Sequence, residues 1–355
     1  MPALRKLTYR DAGVDVDAND RMVERIKAQV RSTFGPRVMG RYGGFAGFFR
    51  LDSNKKLFAR NYREPVLVAC TDGVGTKVLV AAAMKRVNTV GVDLVAMSVN
   101  DMLTCGAEPL FFLDYVALHK LDPAFVAEVV TGVAEGCRQS NCALLGGETA
   151  EMPDVYRRGE FDLAGFAVGA VERKQIIDGS GIKPGDAVIG LPSSGLHSNG
   201  YALARKLAFT RARLRPGSHV KALGETVGDA LLRPTCIYVC PVLSLLAKYP
   251  GGRVVQGMAH ITGGGLVGNI PRILPANCRV VLERKRWPRP KVFGWLESLG
   301  ADPKDMWKTF NMGIGYVLIV RKVFASRVIE HLHAQGQDAM VIGRVGRGRP
   351  GVAMR

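Results

Sequence analysis

The residues best placed to do chemistry occur in short polar segments rich in glycine, and the first spans residues 71–77. Its sequence, Thr-Asp-Gly-Val-Gly-Thr-Lys, ends a β-branched run and precedes an alanine-rich stretch. A strand, a glycine turn and a helix start in this order aim backbone N–H groups at a phosphate. A carboxylate beside such a turn, here Asp72, needs a cation to bridge it to the phosphate. The segment predicts a phosphate site with a divalent cation, although a turn that merely begins a helix is an equally good interpretation.

Two further sets of polar residues lie in the first half of the chain. Asn100 and Asp101 fall within an amphipathic pattern, and Asp93, seven residues before Asn100, shares its helical face. Glu148 follows two glycines, which allow a backbone to approach a ligand closely. Oxygen ligands of these types suit Mg²⁺. Taken singly, a solvated helix face and a plain acidic loop are the simpler interpretations, but the combination favours a metal site.

The second half of the chain carries two polar segments without carboxylates. Residues 193–200 read Ser-Ser-Gly-Leu-His-Ser-Asn-Gly, and residues 260–265 read His-Ile-Thr-Gly-Gly-Gly. Hydroxyl, amide and imidazole groups crowd the first segment, and a glycine-rich helix start favours an anion in the second. Both predict binding of a phosphorylated ligand, although Ser198 or Asn199 could serve only as a helix N-cap. Together with the acidic first half, they favour a nucleoside triphosphate with Mg²⁺ there and a phosphorylated partner near the second half.

The elements that must position these segments are predicted from hydrophobic periodicity. After a long arm, the first half has the order β-α-β-α-β-β, with strands at Pro65–Thr71, Leu110–Leu118, Asn141–Leu145 and Phe161–Val171. In the second half strands alternate with helices, which include Pro234–Lys248 and Gly264–Leu274. This mixture predicts an α/β fold in which each half is a layered sheet covered by helices.

The charge is distributed unevenly along the 355 residues. Residues 1–171 hold 21 basic and 20 acidic side chains, whereas residues 172–355 hold 28 and 11, so nearly all of the net charge of +18 lies in the second half. This shift predicts two domains with those bounds. A basic half suggests a nucleic-acid partner. Its Lys and Arg residues are scattered, however, and no aromatic residues interleave with them, so specific nucleic-acid binding is not expected.

The composition is that of a globular protein with a substantial core, at 47% hydrophobic and 23% charged residues with a mean hydropathy of +0.08. This balance excludes disordered and collagen-like chains. No run approaches the roughly 18 apolar residues of a membrane span, and no signal-peptide pattern opens the chain. Seven cysteines without a CxxC pair indicate reduced thiols. These observations predict a cytoplasmic protein without a membrane partner.

Longer strings of residues resemble the phosphoribosylformylglycinamidine cyclo-ligase family, also called AIR synthetase, which acts in de novo purine synthesis. The resemblance extends over nearly the whole chain and keeps the family's order. The strings that carry it are AGVDVDA (12–18), REPVLV (63–68), TDGVGTK (71–77), VNDMLTCGAEPLFFLDY (99–115), GGETAEMP (146–153), SSGLHSNGY (193–201), HITGGG (260–265) and TFNMGIG (309–315). Other enzymes of the same superfamily share an ATP site, but GGETAEMP and GAEPLFFLDY point to the cyclo-ligase.

The resemblance implies an ATP-dependent ligase. In the implied reaction ATP phosphorylates the formyl amide oxygen of formylglycinamidine ribonucleotide. An amidine nitrogen then attacks the activated carbon, and phosphate leaves as the aminoimidazole ring closes. The alternative is formylglycinamidine ribonucleotide synthetase, which uses ATP on the same fold but needs ammonia. A basic RNA-binding scaffold with an inactive ATP site is a third interpretation, which the intact acidic motifs disfavour.

The resemblance also implies roles for individual residues. His197 is the first choice for a catalytic proton relay and His260 the second, because imidazole suits proton transfer at neutral pH. The implied Mg²⁺ ligands are Asp72, Asn100, Asp101 and Glu148. The implied ATP-binding residues are Gly43, Gly44, Asp72, Gly73, Gly75, Thr76 and Lys77, the first two in a glycine-rich lid over residues 40–47. The implied substrate-binding residues are Ser194, Gly195, His197, Ser198, Asn199, Thr262, Gly263 and Gly264.

The family's first domain packs its sheet against a second copy to form a closed barrel across a dimer. The resemblance therefore implies a homodimer with the ATP site close to the subunit interface. It gives a reason for the apolar run Leu110–Leu113, although a buried core strand accounts for this run as well.

Overall fold

The computed structural model of the chain describes residues 16–39, 42, 46–56, 58, 60–250 and 254–355. Gly43 and Gly44, predicted to contact ATP from a lid, lie outside the described residues, as do residues 40, 41 and 45 of that lid and residues 12–15 of the string at 12–18.

The first part of the chain folds into an arm and a four-stranded sheet. Its elements are α1 (Val16–Arg31), β1 (Val38–Met39), β2 (Phe48–Phe49), β3 (Pro65–Gly73), α2 (Lys77–Met84), α3 (Asn88–Leu103), β4 (Glu108–Leu118), α4 (Pro123–Gln139), β5 (Ala143–Glu151) and β6 (Phe161–Glu172). The sheet has the order β3-β6-β4-β5. Only the pair β4–β5 is parallel, and helix α4 supplies the crossover that a parallel pair requires.

Helix α3 is the centre of this domain. It packs on α4 and on strands β3 and β6, and its other side contacts α7 and β10 of the second domain. Close approach of α3 and α4 depends on Gly132, where an added Cβ would collide with the carbonyl oxygen of Asn88. Because α3 is covered on all these sides, its polar residues Asp93, Ser98 and Asn100 are fully buried together with its apolar ones.

The second part of the chain folds into a six-stranded sheet with helices on its faces. Its elements are β7 (Ala187–Pro192), α5 (Tyr201–Arg205), β8 (His219–Val220), β9 (Glu225–Thr226), α6 (Val227–Leu232), α7 (Val239–Lys248), β10 (Val255–His260), α8 (Gly265–Asn269), β11 (Cys278–Leu282), α9 (Lys291–Ser298), α10 (Pro303–Thr309), β12 (Ile314–Val320), α11 (Ala325–Ala334), β13 (Met340–Arg347) and β14 (Val352–Met354). The strand order is β10-β12-β7-β13-β11-β14, antiparallel except for the last pair. The predicted α/β architecture with two sheets is confirmed.

Three predicted boundaries are wrong, two because a distant contact overrides a local pattern and the third because of a proline within the predicted helix. Strand β5 continues through Glu148 instead of ending at Leu145, because β4 offers a parallel partner along its whole length. Helix α7 begins at Val239 rather than Pro234, because side chains of α3 bind the backbone of residues 235–238. Helix α8 ends at Asn269, where a 3-10 turn containing Pro271 replaces it.

Candidate active site at the domain boundary

The predicted site residues that come together do so where the two domains meet. The first domain contributes the end of β3 and the polar face of α3. The second contributes the loop after β7, the extended segment 233–238, and the turn between β10 and α8. The arrangement brings carboxylates of one domain against imidazoles and amides of the other.

The carboxylate side of the boundary consists of Asp72 and Asp101. Asp72 lies at the end of β3, half-buried, and its Oδ1 accepts a hydrogen bond from the Gly73 N–H at 2.7 Å. Burial raises the pKa of Asp72, and the negative charge of Asp101 adds to this, whereas the Gly73 N–H and His260 oppose it. The side chain of Asp101 is 49% exposed. Both carboxylates are therefore accessible to a ligand.

His260 links this pair to the second domain. Its Nδ1 lies 2.8 Å from Oδ1 of Asp101, and the imidazole is 1% exposed. Since a carboxylate accepts, Nδ1 donates its proton to Asp101. Nε2 is buried and has no hydrogen-bond partner among the described residues. The arrangement is that of a carboxylate that orients an imidazole through one ring nitrogen and leaves the other nitrogen unoccupied by the described residues.

His197 occupies the loop after β7 in a different state. It is buried, and its backbone has a left-handed φ of 60°. Its Nε2 accepts long hydrogen bonds from the N–H groups of Ser194 (3.3 Å) and Cys236 (3.5 Å). The proton therefore lies on Nδ1, which is buried without a partner among the described residues. Burial lowers the pKa of His197 well below its ordinary value, and the charges of His260 and Lys77 add to this, so the ring is a neutral donor.

The string TFNMGIG at 309–315 has a steric role beside this ring. An added Cβ at Gly315 would collide with Cε1 of His197 and with the hydroxyl of Tyr238. Asn311 of the same motif donates to the Gly195 carbonyl at 2.9 Å and accepts from Ser193 Oγ at 3.0 Å. Sequence patterns did not predict these contacts.

The predicted substrate segments are joined by direct hydrogen bonds. Oδ1 of Asn199 accepts from the Gly263 N–H at 2.9 Å. Ser198 Oγ lies 3.1 Å from Thr235 Oγ1, and Ser194 Oγ donates to the Pro234 carbonyl at 2.6 Å. The turn that follows Thr262 includes Gly264 with a φ of 99°, a conformation that favours glycine. The polar loops therefore form one continuous surface beside the two histidines.

Lys77 does not reach toward this surface. It is fully buried, 2.7 Å from Oδ2 of Asp93, and it donates to the carbonyls of His197 (3.0 Å) and Arg233 (2.7 Å). The ammonium charge is thus paired with Asp93, and two of its protons are donated to backbone carbonyls. A phosphate contact by Lys77, as the sequence suggested, is not supported by this arrangement. Thr76 lies at the start of α2 without a capping hydrogen bond, and Gly75 has a φ of 64°.

Asn100 also differs from its predicted role. Its Nδ2 donates to the Cys236 carbonyl at 2.8 Å, and its Oδ1 accepts from the Tyr238 N–H at 3.0 Å. Because the side chain is fully buried and both of its polar atoms are used, it is not available to a metal ion. Asn100 instead fixes the extended segment 233–238 against α3.

Glu148 lies far from the other predicted metal ligands within one chain. It is exposed in β5, where its Oε1 accepts from the Thr149 N–H. Strand β5 is at the edge of the sheet opposite β3. Three strand spacings of about 4.8 Å place Glu148 roughly 14 Å across the sheet from the row of Gly73. Glu148 and Asp72 of one chain therefore cannot share one metal ion.

Asp72 and Asp101 remain as the residues suited to a metal. In the part of the chain that the structure describes, no group of three or more His, Cys, Asp or Glu side chains is arranged to hold an ion. Mg²⁺ commonly keeps several waters and binds only one or two carboxylates in addition to phosphate oxygens. Two accessible carboxylates whose charges interact fit that pattern, and no described residue forms a hydrogen bond with Oδ2 of Asp101.

Comparison with family models covers both domains. The model of the AIR synthase related protein, N-terminal domain, matches residues 60–171, and that of the C-terminal domain matches residues 183–354. Solved structures share the fold. They include a thiamine-monophosphate kinase from Stenotrophomonas maltophilia (TM-score 0.65, 20% identity, 94% of this chain and 95% of that chain) and the hydrogenase maturation protein HypE in complex with ATP (TM-score 0.61, 19% identity, 95% and 91%). Fold and matched domains define an AIR synthase related protein.

Curated relatives narrow this class. The chain is 54% identical over 343 residues to the phosphoribosylformylglycinamidine cyclo-ligase of Myxococcus xanthus, covering 96% of each chain. It is 55% identical over 349 residues to that of Anaeromyxobacter dehalogenans, covering 98% of each. The chain belongs to the phosphoribosylformylglycinamidine cyclo-ligase family and is an enzyme of the ligase class. The resemblance predicted from the sequence strings is confirmed. Within the described residues, no helix has the length and apolar character to cross a bilayer.

Proposed function

We propose that the chain closes the imidazole ring of aminoimidazole ribonucleotide from formylglycinamidine ribonucleotide. The formyl amide oxygen attacks the γ-phosphorus of ATP, and ADP leaves. The amidine nitrogen then forms a bond to the activated formyl carbon, while the bond from that carbon to the phosphate oxygen breaks. One proton leaves the attacking nitrogen and a second leaves the formyl amide nitrogen as its double bond to the former formyl carbon forms. The products are one ADP, one phosphate and one aminoimidazole ring for each turnover.

The pair of Asp101 and His260 supports this reaction most directly. It places an accessible carboxylate 2.8 Å from Nδ1 of an imidazole whose other nitrogen, Nε2, has no hydrogen-bond partner among the described residues, at the point where the two domains meet. The reaction has two requirements at neighbouring positions. The negative charge on the phosphoryl group must be offset, and a proton must be removed from the amidine nitrogen. Because the chain belongs to the cyclo-ligase family, ring closure is the reaction that fits the Asp101–His260 pair.

Mg²⁺ fits the carboxylate side. Asp72 and Asp101 would hold it, and when bound it would offset charge on the transferring phosphoryl group. The neighbouring turn 73–76 supplies backbone N–H groups for phosphate oxygens at the start of α2.

The two histidines are suited to different steps. His260 has its basic Nε2 free, so we assign it the proton of the amidine nitrogen. His197 has its basic Nε2 occupied by backbone N–H groups, so it acts as a neutral donor from Nδ1 toward an oxygen of the substrate. This order reverses the preference drawn from the sequence, in which His197 was the first choice for proton transfer.

The test is a product assay with purified protein, ATP, Mg²⁺ and formylglycinamidine ribonucleotide. We expect one ADP and one phosphate per aminoimidazole ribonucleotide, without glutamine or ammonia. Reactions without Mg²⁺ or without the ribonucleotide are the controls. Formation of ADP only when ammonia is supplied, with formylglycinamide ribonucleotide as substrate, would instead support the synthetase.

A homodimer is part of the proposal. One face of the four-stranded sheet exposes apolar side chains, with Leu67 60% and Phe166 45% exposed. Phe111 and Leu113 share that face, because Leu113 pairs with Phe166 and Phe111 with Val168. Monomeric proteins rarely leave such a contiguous apolar face in water. A second copy of the same face would cover these side chains. The family resemblance implies that the two sheets then close into a barrel.

Sedimentation velocity at micromolar concentration tests the dimer. Phe166→Asp should convert the dimer to a monomer, because it buries a charge in the interface. Val323→Asp, at a position 83% exposed in the second domain, is the matched control and should leave the dimer intact. A wild-type chain that sediments as a monomer would contradict the proposal.

A reducing compartment such as the cytoplasm is also inferred. All seven cysteines are free thiols, and five of the seven are buried or half-buried where burial raises the thiol pKa. Thiols of this kind are typical of proteins outside the secretory pathway.

A further inference from the structure

A buried ion pair joins the two domains behind the His197 loop. Lys77 at the start of α2 and Asp93 in α3 are both fully buried, and Nζ lies 2.7 Å from Oδ2. Removing two charges from water is costly, and replacing such a pair by apolar residues is often neutral or stabilising. Stability alone is therefore a poor reason for its presence.

The partners of the pair lie in the second domain. Lys77 donates to the carbonyls of His197 (3.0 Å) and Arg233 (2.7 Å). Oδ1 of Asp93 accepts from both the N–H (2.7 Å) and the hydroxyl (2.6 Å) of Thr235. Every remaining hydrogen bond of the pair is thus made to the backbone or side chain of two loops that border the candidate site.

These two loops hold His197 from opposite ends. The Lys77 ammonium binds the carbonyl of His197, which has the left-handed backbone that a residue with a Cβ rarely adopts. The Cys236 N–H, which follows Thr235 directly, lies against Nε2 of the same imidazole. The pair therefore controls both the backbone conformation of His197 and the group that keeps Nε2 occupied and Nδ1 protonated.

We propose that Lys77 is a positioning residue, which through Asp93, Thr235 and the His197 carbonyl holds the His197 ring in its donor orientation toward the substrate. The inference rests on the proposed function, in which His197 acts as a donor. Lys77 then contributes to catalysis across the domain boundary without touching ATP. A ring that is free to move should donate poorly, since small displacements of a positioned group cost about 10²-fold in rate.

The experiment separates positioning from stability by using a charge-neutral double variant. Lys77→Met alone leaves Asp93 as an unpaired buried charge and should lower the melting temperature strongly. Lys77→Met combined with Asp93→Asn removes both charges and keeps an oxygen for Thr235. It should recover most of the stability, but it supplies no donor to the His197 carbonyl.

For the double variant we expect kcat to fall about 10²-fold, while the KM for ATP stays close to that of the wild type. Arg86→Met is the matched control. Arg86 forms an ion pair with Asp229 across the same domain boundary at 2.8 Å, but both side chains are 40% exposed. This variant should keep wild-type turnover.

Three outcomes would overturn the inference. Wild-type kcat in the stable double variant would mean that Lys77 serves only the fold. A large rise in the KM for ATP with unchanged kcat would make Lys77 a nucleotide ligand after all. A parallel loss in Arg86→Met would show that any disturbance of the boundary has the same effect. Absence of ring closure in the wild-type protein would instead contradict the proposed function itself.

Discussion

The two domains present their ionisable groups to the boundary in different environments. On the first domain, Asp101 is half-exposed and Asp72 is half-buried, so a ligand can reach both carboxylates from solvent. On the second, His197 and His260 are almost fully buried, and each has one ring nitrogen held by the protein and one that no described residue contacts by a hydrogen bond. Under the proposed function this difference has a chemical meaning. The carboxylates of the first domain would receive metal and phosphate, while burial in the second domain keeps the pKa of His197 well below its ordinary value.

The largest expected effect comes from the acidic side. Asp101→Asn keeps the volume of the side chain but removes the charge for Mg²⁺ and weakens the acceptor for His260. Turnover should fall by about 10³–10⁵-fold, since groups that offset charge on the phosphoryl group contribute on that scale. Steady-state rates with ATP titrations measure it, and Asp154→Asn on the exposed surface is the control. Turnover within tenfold of the wild type would show that Asp101 is not part of the site.

The second prediction compares the two histidines. His260→Gln removes the free basic nitrogen and should lower kcat by about 10²–10⁴-fold. His197→Ala removes a neutral donor and should cost about 10²-fold, in the range for one preorganised hydrogen bond. Nucleotide binding should stay nearly intact in the His197 variant.

Rates measured across pH separate the two roles. A neutral donor does not titrate in the working range, so His197→Ala should leave the shape of the pH–rate profile unchanged. If a limb of that profile is lost in His197→Ala but not in His260→Gln, His197 is the proton acceptor and His260 the donor.

A third prediction extends the comparison into the first domain's core. Asp114 of β4 is 8% exposed, and burial raises its pKa to about 7. Above that pH the native state bears the cost of a buried carboxylate that the unfolded chain does not. Asp114→Asn should therefore stabilise the protein by up to about 4 kcal/mol at pH 8. The gain should shrink steadily toward pH 5, where native Asp114 is protonated. Denaturant titrations at both pH values check this, and an equal gain at both would contradict it.

The smallest predicted effect concerns His197. It should lower the stability of the protein as the pH falls, whereas Asp114 lowers it as the pH rises. Its native pKa lies well below its ordinary value because of burial, so below about pH 6.5 the unfolded chain binds a proton that the native state does not. His197 should thus cost up to about 1.4 kcal/mol of stability for each pH unit below 6.5. His197→Asn should flatten that part of the dependence. Melting temperatures of the two proteins between pH 7.5 and 5.5 measure the difference, and parallel curves would refute it.

Local patterns were enough to predict the elements and the segments that contribute to the site. The turn at 71–77, the helix with Asn100 and Asp101, and the loops at 193–200 and 260–265 all lie at the domain boundary. Hydrophobic periodicity and glycine-rich ends are short-range properties, so they can be read from neighbouring residues. The strings that resembled a family carried the rest of the prediction.

Contacts between distant residues could not be predicted in this way. Lys77 and Asn100 have partners about 120–160 residues away, and these partners are mostly backbone atoms, which leave no pattern in the sequence. Glu148 looked like a ligand because it followed two glycines, but pairing with β4 extended the strand through it. One signal was available for Asp93. A charged residue on the same helical face as Asn100, in a helix otherwise rich in apolar residues, indicates a face that packs against something polar.

The segment 233–238 couples the unfolding of the two domains. Its backbone groups are bound by Lys77, Asp93 and Asn100 rather than by a neighbouring strand. Pulling the domains apart would take from the Lys77–Asp93 pair and from Asn100 their hydrogen-bond partners on the other half, and would leave the peptide groups of residues 233–238 without theirs. Neither half should then survive alone, and calorimetry should record one endotherm for the whole chain. A polypeptide cut between residues 173 and 186 should likewise remain associated until both pieces melt together.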